Sequence, residues 1–80
     1  MSVMFEVFYK APPDSRHEAL IEERVSRFGG RLTCREEPET HGPNNVCLTY
    51  EFDDWPVAEQ AAQCLREAGE HVEGPMDYGH

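Results

Sequence analysis

Residues 34–47, CREEPETHGPNNVC, gather two cysteines, one histidine and three glutamates into a short stretch. Those residue types suit a disulfide, a zinc site or a redox centre. A structural zinc needs four closed ligands at spacings such as C-x-x-C or H-x-x-x-H, and neither occurs here. A disulfide or a shared metal needs both sulfurs on one side of a hairpin, because neighbouring side chains along a strand point to opposite faces. Cys34 runs in phase with Leu32 and is expected to point inward, as a small buried hydrophobe. Cys47, between Val46 and Leu48, is expected to point outward. Only a β-bulge in one strand would reverse that, since one extra residue flips every later side chain.

A second group has chemistry in its types rather than its spacing. Glu6, Glu51, His71 and Glu73 lie on extended segments, and carboxylates beside an imidazole on adjacent strands bind a divalent metal or relay a proton. Geometry decides whether such residues make a site, and isolated surface acids are ordinarily solvated. No set announces itself as catalytic, and no motif calls for a cofactor.

The elements that must position these residues follow from periodicity. Val3, Phe5, Val7 and Tyr9 alternate in SVMFEVFYK, the pattern of a strand with one buried face. Pro12 and Pro13 stop it, and Asp14 or Ser15 caps a helix, with Ser15 and Glu18 spaced as a capping box. Ile21, Val25 and Phe28 form the inward stripe of that helix, Leu20 lies on its flank, and His17 begins the stripe as a partly buried packing residue. Gly29 and Gly30 end the helix. RLTCRE is a short strand and NVCLTYEF a stronger one with Val46, Leu48, Tyr50 and Phe52 in phase; residues 37–45 form an exposed loop. Asp54 caps a second helix, Pro56 sits in its first turn, and Ala58, Ala61, Ala62 and Leu65 face inward. Gly69 closes it. EHVEG is a brief last strand, and residues 75–80 are expected to be a loosely held tail.

The order βαββαβ is that of a ferredoxin-like α+β sandwich, a four-stranded antiparallel sheet in order 4-1-3-2 with two helices on one face. Eighty residues make a single domain near the small end of what one core supports. Sixteen acidic against seven basic side chains give a formal net charge of -9. That field repels phosphate backbones and anionic lipid headgroups, so neither nucleic acid nor a membrane surface is an expected partner. Three cysteines outside any disulfide framework, together with an amino terminus lacking a basic start and an uninterrupted apolar run, give the expectation of a cytoplasmic protein with reduced thiols.

With helices on one side, the other side of the sheet is expected to carry Met4, Glu6, Phe8 and Lys10, Thr33 and Arg35, Cys47, Thr49 and Glu51, and His71 and Glu73. A single aromatic among central glutamates is not an RNA platform. Met4, Phe8 and Arg35 on that face, His41 in the long loop and Trp55 at the start of the second helix are the candidate partner contacts, tryptophan being enriched at binding hot spots. The expected function is a non-catalytic binding or regulatory role, through self-association or a protein partner. The alternative is an enzyme or metal-binding protein of the dimeric α+β barrel kind, with its site on the open face. A third possibility is an acidic surface imitating nucleic acid toward a basic protein.

Overall fold

Why β1 (Val3–Lys10) and β3 (Asn45–Phe52) sit at the centre of the sheet is written in their alternation. Val3, Phe5, Val7 and Tyr9 pair across the register with Phe52, Tyr50, Leu48 and Val46, so two apolar faces coincide and all eight residues are buried. The computed structural model describes residues 2–38 and 44–77. It adds α1 (Ser15–Ser26), β2 (Arg31–Glu36), α2 (Trp55–Glu67) and β4 (His71–Asp77) in the order the sequence predicts. The four antiparallel strands lie in the order β2-β3-β1-β4, which is the expected order read from its other edge. The fold is α+β and consistent with a ferredoxin-like βαββαβ sandwich.

Helix α2 is seated on small residues. Ala58, Ala61, Ala62 and Leu65 are all fully buried, and methyl side chains let the helix backbone approach the sheet. Phe5, Tyr50 and Phe52 fill the remaining volume, with the Phe5 and Phe52 ring centroids 5.0 Å apart. Asp54 occupies the N-cap position with extended backbone but makes no side-chain cap bond. Helix α1 buries only Ile21 and Val25 completely. Its N-cap is Asp14, whose Oδ1 accepts from the amides of Arg16 and His17. The expected Ser15–Glu18 capping box is not the one used: Glu18 turns instead to Tyr9 and Arg35. After α1 the chain folds tightly under the core, and a side chain at Gly30 would meet Val25 Cγ1 at 2.4 Å and Phe52 Cζ at 2.5 Å.

Two β-bulges change the expected map. In β2, Leu32 lies opposite Tyr50 but Cys34 lies opposite Thr49, so one residue is inserted at Thr33. From there the phase reverses: Cys34 and Glu36 share the open face, while Arg35 is carried to the helix side. The inward Cys34 and the outward Arg35 expected from alternation are both overturned. Cys34 is exposed, as is every residue of β2, and Leu32 keeps 43% of its surface despite facing the helices.

In β4, Met4 pairs with Met76 and Glu6 with Glu73, so the extra residue falls at Gly74–Pro75. Gly74 adopts φ 109°, a conformation open to glycine and strained for other residues. The strand does not end there, and Pro75, Met76 and Asp77 of the expected 75–80 tail belong to β4, the remaining residues 78–80 lying outside the described ones.

Candidate functional site

The face of the sheet opposite the helices has no covering layer among the described residues. Its centre consists of Met4, Glu6 and Phe8 on β1, flanked by Cys47, Thr49 and Glu51 on β3, all half-buried by their neighbours. Strand β4 adds Met76, Glu73 and His71, each directly opposite a β1 residue. Strand β2 adds Arg31, Cys34 and Glu36. Met4, Glu6, Phe8, Glu51, His71 and Glu73 thus share one surface, as alternation predicts.

Along β1 and β4 this surface is built of three cross-strand rungs: Met4 with Met76, Glu6 with Glu73, Phe8 with His71. The last pair is in ring contact, with centroids 5.9 Å apart. Met76 keeps 44% of its surface. Sequence reading missed it because the Gly74–Pro75 bulge moves it to this face, and only that glycine-proline pair signals the shift.

Charge is handled differently along β3 and β2. Glu51 accepts from Ser2 Oγ and from Arg31 at 3.1 Å, and Arg31 also reaches Asp53 at 3.1 Å. The Ser2 hydroxyl and the Arg31 guanidinium hold the Glu51 carboxyl below the usual carboxylate range, and Arg31 does the same for Asp53. Glu51 therefore faces its own counter-ion. Glu6 forms no ion pair among the described residues; the Cys47 thiol donates to its Oε2 at 3.4 Å. His71 Nε2 lies 3.6 Å from Glu73 Oε1. Among the described residues, no three His, Cys, Asp or Glu side chains gather closely enough to hold a metal ion.

The Cys34 and Cys47 thiols share the open face but not a rung, for Cys34 faces Thr49 and Cys47 faces Glu36. Both are free. Burial, followed by the Glu6 carboxylate, pushes the Cys47 thiol up to about 11, so at neutral pH it is a thiol and a hydrogen-bond donor rather than a nucleophile.

The remaining candidate contacts lie elsewhere. Arg35 is on the helix side, where its Nε and Nη2 grip the two oxygens of Glu18 at 2.7 and 2.9 Å and its Nη1 lies 3.3 Å from Glu37. Trp55 opens α2 and packs half-buried against the core. His41 lies outside the described residues.

A polar cluster that sequence reading missed surrounds Arg35. The Tyr9 hydroxyl donates to Glu18 and accepts the Asp14 amide at 2.9 Å. Burial and the Glu18 carboxylate raise the Tyr9 hydroxyl, while the Arg35 guanidinium lowers the Glu18 carboxyl. The His17 ring packs on Tyr9 with centroids 4.9 Å apart, and its Nε2 meets both oxygens of Glu70 at 2.8–2.9 Å. His17 is therefore the half-buried packing residue expected, with an added polar partner. An open cleft of about 510 Å³ lies beside this cluster, lined by Tyr9, Arg16 and the two prolines before α1. Lys10, Ser15 and Asp14 also line it, and Asp14 Oδ1 accepts the amides of Arg16 and His17.

No protein-family model matches this chain, and no curated protein resembles it in sequence. Among the described residues no helix is long and apolar enough to cross a membrane.

Proposed function

We propose that this chain is a non-catalytic binding protein that acts on a protein partner through the open face of its sheet. The observation that supports the reading is the placement of half-buried Met4 and Phe8 and exposed Met76 on one face that no helix covers among the described residues. Antiparallel sheets tolerate one wet face, but apolar side chains on both sides of a charged centre are what an interface on so small a domain uses. Self-association through the same face is the weaker form of the proposal. Two copies stacked face to face would bring their Glu6 and Glu73 carboxylates into one dry layer, where like charges cost most. Against a catalytic or metal-binding role stands the diversion of Glu51 to Arg31 and the high thiol of Cys47. The free thiols suit a reducing cytoplasmic setting, which we include in the proposal.

Partner capture with native protein and the Phe8→Asp variant tests this reading, after circular dichroism has shown both to be folded. A partner retained by native protein and lost by the variant is the expected result. Equal capture by both, with sedimentation showing only monomer, would refute it. Amide shifts at Glu6, His71 and Glu73 on adding divalent ions would instead favour the metal-binding alternative.

A further inference from the structure

Several carboxylates of the fold meet a cationic or imidazole partner: Glu18 meets Arg35, Glu51 and Asp53 meet Arg31, and Glu70 meets His17. The middle rung of β1 and β4 has no arginine of its own among the described residues. Glu6 and Glu73 lie directly opposite each other, an arrangement that destabilises a sheet through like-charge repulsion. No arginine or lysine among the described residues pairs with either, and His71, at 3.6 Å from Glu73, carries charge only when protonated. The carboxylates are bracketed on one side by Met4 and Met76 and on the other by Phe8 and His71.

We infer that the partner of the open face is a protein segment presenting one arginine or lysine between two apolar side chains, with the cation seated between Glu6 and Glu73. The inference rests on the binding role proposed above and specifies its ligand. Successive same-face side chains on a strand are about 7 Å apart, so an extended segment with its apolar, basic and apolar residues at alternate positions matches the three rungs. Arginine fits best, because its planar fork can meet two carboxylates while its stem lies on the methionines. The Cys47 thiol, already donating to Glu6, limits how that carboxylate can turn.

Nuclear magnetic resonance titration of the full chain with the acetylated, amidated peptide Leu-Thr-Arg-Thr-Phe tests the inference, alongside peptides carrying Glu or norleucine in place of Arg. The expected result is saturable movement of the amides of residues 4–8 and 71–76 with the Arg peptide. Affinity should fall about tenfold in Glu6→Gln/Glu73→Gln and stay unchanged in Glu22→Gln/Glu59→Gln, which removes the same charge from the exposed helix surface. Glu73→Lys should abolish binding yet raise the melting temperature of the free protein by about 1–5 °C, because it turns repulsion into attraction.

Equal weakening by both double variants, or movement centred on the helices, would overturn the inference. Equal binding of the norleucine peptide at the same rungs would also overturn it while leaving the open-face reading intact. If no peptide moves these amides, the cationic specificity falls, and the binding role is judged separately by the Phe8→Asp capture experiment.

Discussion

One half of this molecule is held by shape and the other by charge. Under α2, the buried alanines and Leu65 meet the aromatic rings of β1 and β3 with no polar group between them. At the opposite side, α1 and β2 contribute few fully buried side chains, and β2 contributes none. Besides Ile21, Val25 and the β2–β3 ladder, Glu18 ties α1 to β2 through Arg35 and to β1 through the Tyr9 hydroxyl, and Arg31 ties β2 to Glu51 and Asp53. Apolar contact does not depend on pH and strengthens with excluded salts, whereas partly exposed ion pairs weaken with both acid and salt. The two halves of one small core should therefore respond to different conditions.

The largest test strikes the apolar half. Phe52→Ala removes a ring that lies against Phe5 and beneath Gly30, and should cost about 3–5 kcal/mol in urea unfolding, independent of pH. A smaller cost would mean that the alanine-rich seat of α2 can collapse onto the gap.

Glu18→Gln strikes the charged half and should cost about 1–2 kcal/mol, reduced from the range for charged hydrogen bonds because Arg35 is partly exposed. The sign of its pH dependence is fixed. Arg35 lowers the Glu18 carboxyl in the folded state, so the unfolded chain binds more protons in acid. The stabilisation is complete above the unfolded carboxylate range and fades as pH falls through the lower folded value. In the variant the acid limb of the stability curve should flatten, and salt should matter less. An unchanged limb would assign the acid sensitivity to Glu51 and Asp53 instead, whose carboxyls are lowered too.

The smallest effect is expected from Asp14→Ala, which removes the acceptor for two amides at the start of α1 and should cost about 1 kcal/mol by thermal unfolding. If it costs more than Glu18→Gln, the helix cap rather than the ion-pair cluster holds α1 in place.

Element order, strand order and the alanine face of α2 were legible in the sequence because alternation and helical spacing are unbroken in β1, β3 and α2. Most of the open face followed from the same alternation. The errors concentrate in the two edge strands. In RLTCRE only Leu32 and Cys34 are apolar, so two residues had to set the phase, and an insertion at Thr33 between them leaves no trace in side-chain type. In HVEGPMD the proline reads as a stop, although at a bulge on an edge strand it costs no ladder bond. The Arg35–Glu18 link was hidden behind the first of these shifts.

The insertion at Thr33 also makes β2 a hinge of identity. Deleting that one residue would straighten the strand yet leave Cys34, Arg35 and Glu36 on the faces they already occupy, because their partners on β3 would not change. Drawing Thr33 into the ladder would do the opposite, sending Cys34 inward, carrying Arg35 to the open face and stranding Glu18 without its cation. A single residue kept out of register thus decides which side of the sheet owns that guanidinium.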